Sequence, residues 1–180
     1  MNKPTNFNDL LELQRVLDEN IEKNRSNGFA PRKRSLLDIL LAIDDEFQEW
    51  LKELPYELNF KTWKQKEYSR EKELEELTDV LFFFLQYCRT LKKYDYKFIF
   101  QNFENWEMHD YTFLKEKGLE YWIAEFKYDL WSENVEFSFS GYLKLVYFRG
   151  FTKEDLLNTY WKKWQKNMTR INKDWILEGK

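Results

Sequence analysis

LLDILLAIDDEFQEWLKELPYELNFKTWKQKEYSREKELEELTDVLFFFLQYCRTL, residues 36–91, is the stretch whose reading decides the fold. It holds two amphipathic helical patterns joined by a loop rich in Lys and Trp. In the first pattern Ile39, Ile43 and Trp50 stand seven, three and four residues from Glu46; in the second Val80 and Phe83 stand four and seven residues after Glu76. That recurrence is helical. Glu46 with Glu49, and Glu76 with Asp79, are each spaced i, i+3, so each pair shares one helix face. One such pair alone reads as an exposed, charge-laced face. Two pairs, both on the apolar side and joined by a short basic-aromatic loop, read as four carboxylates projecting into a half-apolar site. Carboxylates so placed repel unless cations lie between them. Hard divalent ions with oxygen ligands answer that need, Mg²⁺ above all where a phosphorylated ligand completes the coordination. Spacing does not choose the ligands: Asp44, Asp45 and Glu53 lie on the same acidic half of the first helix, and Asp45 with Glu49 fits i, i+4.

The chain of 180 residues reads as a single domain, 1–180, able to bury about two thirds of its unfolded surface. Aromatic residues make up 19% of it, whereas 5 Gly and 3 Pro are too few for a turn-rich all-β fold. A net charge of −3 with both signs interspersed argues against a nucleic-acid partner. The single Cys88 rules out an intramolecular disulfide and sits among Leu81, Phe84, Leu85 and Leu91 as a small buried hydrophobe. The single His109 excludes a multi-histidine metal site. A basic-then-apolar leader pattern is not seen, and no apolar run is long enough to span a bilayer, so a cytoplasmic location and no membrane partner are expected.

Residues 1–7 read as a loose arm. Asn8 is the expected cap of a helix reaching about Lys23, with Leu10, Leu13, Leu17 and Ile21 on one face. Gln14 shares that face, and a buried glutamine is costly unless both ends of its amide are hydrogen-bonded. Ser35 with Asp38 makes a capping box for the second helix, which stops before Pro55. The loop over 55–69 carries Lys61, Trp63, Lys64 and Lys66. Ser69 opens the third helix, with Leu74, Leu77, Leu81, Phe84, Leu85 and Cys88 as its buried face. Residues 92–150 are crowded with aromatics, read as core or interface, with helices over Leu119–Trp131 and Val135–Phe148. Thr152 with Asp155 caps the last helix, on which Tyr160, Lys163, Asn167 and Arg170 share a face. A Lys and an Arg flanking an Asn suit phosphate oxygens beside a sugar or base.

The motifs EFQE (46–49), FKTW (60–63), EELTDVLFF (75–83) and LQRVL (13–17), with Lys163, Asn167 and Arg170 near the C-terminus, resemble the dimeric all-α dUTPases. That family belongs to the all-α NTP pyrophosphohydrolase superfamily, which includes MazG. The resemblance implies an all-α bundle of about five to seven helices, a homodimer, and hydrolysis of dUTP to dUMP and pyrophosphate. It selects Glu46, Glu49, Glu76 and Asp79 as ligands of two or three Mg²⁺ ions, with Glu46 or Glu49 acting on the attacking water. It puts Gln14 on the uracil, Lys61 on a phosphate, Trp63 over the nucleotide pocket, Phe83 beside the nucleotide, and Lys163, Asn167 and Arg170 on the phosphates and nucleoside. The acidic motifs alone mark only the superfamily; Gln14, FKTW and the C-terminal set point to dUTP, with dUDP as a second substrate left open. The chain departs from the family at Phe82, where a His is frequent, and at Asp174 and Trp175, where a Gly-Tyr pair is frequent. Two other readings stand beside this one: a MazG-like pyrophosphohydrolase of another nucleotide, and a non-catalytic helical protein-binding module. Some phage members of the family bind repressor proteins, which leaves a repressor-type partner open if the chain is phage-encoded.

Overall fold

The computed structural model describes residues 1–24, 34–90, 96–108 and 112–170; His109, Asp174, Trp175 and most of the basic connection after the first helix lie outside them. Among the described residues there is no strand. The described residues form eight α-helices in turn: α1 (Phe7–Asn24), α2 (Leu36–Glu53), α3 (Arg70–Thr90), α4 (Tyr96–Asn105), α5 (Leu114–Lys117), α6 (Leu119–Trp131), α7 (Val135–Phe148) and α8 (Lys153–Arg170). The all-α expectation holds, and the six helices read from the sequence are all present. Two shorter ones, α4 and α5, arise inside the aromatic stretch. No described helix is long and apolar enough to cross a membrane.

Helix starts follow the capping chemistry. Ser35 and Asp38 form the expected reciprocal box at α2. Thr152 and Asp155 do the same at α8, with bonds of 2.8 and 3.1 Å. At α1 the expectation is corrected. The cap is Asn6, whose Oδ1 accepts from the Asp9 N–H at 3.0 Å, and Asn8 lies inside the first turn. The expected loose arm therefore ends before Phe7, which is fully buried against Phe100, Phe103 and Phe139. Both asparagines suit a cap; burial of the Phe7 ring selects the earlier one.

Helices α2 and α3 pack together and run antiparallel, since Trp50 meets Glu73 at one end and Arg34 meets Gln86 at the other. Helices α6 and α7 form a second hairpin against them. Phe126 of α6 stacks on Phe47 of α2 at 4.0 Å, and the Tyr142 hydroxyl of α7 donates to the Leu77 carbonyl of α3 at 2.8 Å. The aromatic surplus thus fills the space between the hairpins. Helices α1 and α8 cover the other side of α3.

One charge lies inside this packing. Glu73, in the first turn of α3, is fully buried. Its carboxylate accepts from Trp50 Nε1 of α2 (3.3 Å), from the Tyr68 hydroxyl at the end of the loop (2.7 Å), and from Arg149 Nε and Nη2 at the end of α7 (2.6 and 3.1 Å). Arg149 is set by the turn behind it. Gly150 adopts φ 72°, which a Cβ would disfavour, and lets the Phe151 N–H reach the Val146 carbonyl at 3.1 Å. Removing one partner of a buried ion pair strands the other charge. Arg149→Met is expected to cost about 3 kcal/mol of stability, read from urea unfolding. A loss below about 1 kcal/mol, the worth of an exposed ion pair, would show that the pair does not tie these helices together.

Candidate active site

Helices α2, α3 and α8 converge on three half-buried carboxylates. Glu46, Glu76 and Asp79 each present an oxygen within 4.8 Å of the others. Glu76 and Asp79 stand one turn apart on α3, opposite Glu46. From α8, Lys163 Nζ donates to Asp79 Oδ2 at 2.5 Å and to the Glu75 carbonyl at 3.1 Å. The rest of the acidic side of α2 is engaged elsewhere or faces solvent. Glu49 lies outside the cluster and accepts from Lys52. Asp44 pairs with Lys127 and Glu53 with Lys66, while Asp45 is exposed. Of the α2 acids, Glu46 is the one whose carboxylate lies within the cluster.

Crowding and burial shift the titration of these groups. Burial pushes Glu46 up to about 7, with the charges of Asp79, Glu76 and Asp45 adding to the rise and Lys163 opposing it. Burial also raises Glu76, helped by Asp79. Burial raises Asp79 too, and the ion pair with Lys163 does not outweigh it. Three hard oxygen donors that repel one another fit a divalent cation, and a set of three leaves coordination positions for water or phosphate oxygens. A thiol nucleophile is not on offer, because burial pushes Cys88 up to about 12.

Gln14 lies on the neighbouring face of α1, only 4% exposed. Its Oε1 accepts from the Tyr160 hydroxyl at 3.0 Å and its Nε2 donates to Asp18 Oδ1 at 2.7 Å. Both ends of the amide are therefore satisfied, which is what its burial requires. The Tyr160 ring stacks on Phe82 at 4.1 Å and 19°, so the phenylalanine at the departing position supports the partner of Gln14. Phe83 is half-buried beneath the Arg34 guanidinium, 5.2 Å from its ring centre. In the loop, Lys61 lies over the Phe60 ring at 5.7 Å and Trp63 is 78% exposed. Asn167 and Arg170 are half-buried on α8, further along from Lys163.

The sequence reading named Gln14, Glu46, Glu76, Asp79 and Lys163, and the fold brings them onto four adjoining helices. It missed Asp18, Arg89 and the Glu73 hub. Asp18 could have been flagged, since it stands i+4 from Gln14. The approach of Arg89 to Asp18, at 2.6 Å across 71 residues, is set only by the tertiary fold.

Carboxylates gathered in this way at the junction of helices, with a lysine among them, suit a divalent cation and the phosphate oxygens of a ligand. The family whose sequence profile is described as dUTPase matches residues 6–175, and the chain belongs to it, as a dUTP diphosphatase of the all-α type. Among curated proteins none matches the chain.

The raised Glu46 makes a prediction about stability. Its ordinary value is 4.5 and its folded value about 7, so ionising it opposes folding. That penalty is absent below the ordinary value and complete above the folded one. In metal-free protein, Glu46→Gln is expected to raise the melting temperature over wild type at about pH 8, with the gain shrinking toward about pH 5. Scanning fluorimetry in chelator measures it, and a gain equal at both pH values would contradict the shift.

Proposed function

We propose that Glu46, Glu76 and Asp79 form the catalytic centre of a Mg²⁺-dependent dUTP hydrolysis, with Glu49 joining the ligand set. The observation that carries this is the convergence of the three carboxylates with Lys163 at the meeting of α2, α3 and α8. Bound Mg²⁺, as two or three ions, would polarise the phosphate oxygens and lower the pKa of an attacking water. Glu46, poised near neutrality, takes or orients the water's proton. Glu49 is the other carboxylate suited to that part, a turn further along α2 and free to exchange Lys52 for a ligand role. Water attacks the α-phosphorus, the anhydride oxygen leaves with pyrophosphate, and dUMP remains. Lys163, Lys61 and Arg170 offset the charge gathering on the leaving phosphates.

Recognition falls to the surrounding helices. Gln14 reads the uracil, donating to a carbonyl and accepting from the ring N–H. Asn167 meets the nucleoside, Phe83 lines its pocket, and Trp63 closes over it from the loop. Exclusion of cytosine rests on the high cost of a mispaired buried polar group, and exclusion of thymine on a tight pocket at the base 5-position. The same site would accept dUDP in place of dUTP if two phosphates suffice to reach the cations. We place the active form as a homodimer, for which the exposed Tyr128, Trp131 and Phe137 of α6 and α7 supply apolar surface.

Pyrophosphate release from dUTP, dTTP, dCTP and dATP, with and without Mg²⁺, tests the reading. Release is expected from dUTP alone and only with Mg²⁺, and Glu46→Gln and Glu49→Gln should each lower kcat by about 100-fold or more. Full turnover in chelator would sink the metal assignment. Equal turnover of all four nucleotides would reassign the base pocket.

A further inference from the structure

We propose that Asp18 is a specificity-determining residue: it holds the Gln14 amide in one of its two orientations, and that orientation tells uracil from cytosine. This rests on the reading of Gln14 as the residue that meets the base.

The Gln14 side chain ends in an amide. Its oxygen and its NH₂ group are nearly the same size, and a half-turn exchanges donor for acceptor. Uracil offers a carbonyl acceptor beside a ring N–H donor. Cytosine offers the reverse along the matching edge, an amino donor beside a ring nitrogen acceptor. A glutamine free to turn would satisfy either base and choose neither. Gln14 discriminates only if something on its far side fixes the turn.

Asp18 does so, one helical turn along α1. An ionised carboxylate accepts hydrogen bonds and donates none. With Asp18 Oδ1 at 2.7 Å, the NH₂ of Gln14 must be the group facing it. The Tyr160 hydroxyl, able to donate or accept, then donates to Oε1 at 3.0 Å. Tyr160 follows the orientation and Asp18 dictates it. Asp18 is itself held: Arg89 Nη1 donates to its Oδ2 at 2.6 Å and Gln86 Nε2 approaches its Oδ1 at 3.4 Å. Gln86 is fixed in turn by Arg34, whose Nη1 donates to its Oε1 at 2.8 Å. After these bonds the Gln14 amide keeps one N–H and one lone pair. Those are the two features a uracil edge needs, in the order it needs them.

The test compares kcat/KM for dUTP and dCTP in wild type, Asp18→Asn and Gln14→Ala. Asparagine keeps the size of Asp18 but can face Gln14 with either its oxygen or its NH₂. The dUTP-over-dCTP ratio is expected to fall by about tenfold or more in Asp18→Asn, carried by dCTP gaining on dUTP. Damage to packing alone would lower both substrates together and leave the ratio in place. If circular dichroism shows that Asp18→Asn does not fold, Asp18→Ala, which removes the acceptor without adding bulk, carries the same expectation. A changed ratio in Gln14→Ala with an unchanged one in the Asp18 variant would overturn the proposal and leave Gln14 as the base reader. An unchanged ratio in Gln14→Ala would overturn the base reading, and the Asp18 proposal with it.

Discussion

Carboxylates that repel cannot hold together the helices that carry them, so the register of α2 against α3 must be set by something else. The buried Glu73 supplies it. The Trp50 indole donates across to Glu73, and one turn further along the same two helices Glu46 faces Glu76. Because the bond and the cluster are separated by a single turn on each helix, a slip of either helix would break both. Arg149 reaches the same carboxylate from the end of α7, and Tyr68 from the end of the loop. A buried ion pair gains little over apolar packing in net stability. Its value here lies in direction: four donors on one carboxylate fix three helices and a loop end in a single arrangement.

The acidic cluster then sits in a frame that does not need it for stability. Its own electrostatics oppose folding, as the raised Glu46 shows. Lys163 relieves part of the repulsion at Asp79 but not all of it. The remainder is a standing preference for added positive charge between α2 and α3, created by burial and crowding together. Half-burial matters to that balance. Fully exposed carboxylates would be screened by water and bind cations weakly, and fully buried ones would simply stay protonated.

Much of this was legible in the sequence because it is local. The Ser35 and Thr152 boxes, the period of α2 and α3, and the i, i+3 acids all depend on neighbours within a turn or two. The choice of Glu46 over Asp45 was not in the spacing and came only with the family resemblance, and Glu49 turning to Lys52 was in neither. What could not be read depends on contacts between distant segments. Phe7 looks like the end of an arm until Phe100, Phe103 and Phe139 surround it. Glu73 looks like ordinary first-turn charge until Trp50 and Arg149 meet it. Asp18 looks like ordinary solvated helix charge until α3 delivers Arg89. Polar residues are hard to place from sequence because the same side chain suits water and a buried partner equally; only the fold decides between them.

The two buried polar networks leave one part of the site outside their hold. The loop is tied at its ends, by Tyr68 to Glu73 and by Asn59, whose amide donates to the carbonyls of Lys52 and Leu54 at 3.0 Å. Between those ties Lys64 and Trp63 face solvent. Trp63, 78% exposed, is the largest apolar side chain left almost bare among the described residues. An exposed indole costs hydration that a nucleotide base could relieve. Closure of that loop over a ligand would bury the ring without disturbing Glu73 or Gln14, since neither network includes a residue between Asn59 and Tyr68. The packed helices therefore set charge and hydrogen-bond polarity in advance, and the loop outside both networks still has apolar surface to bury.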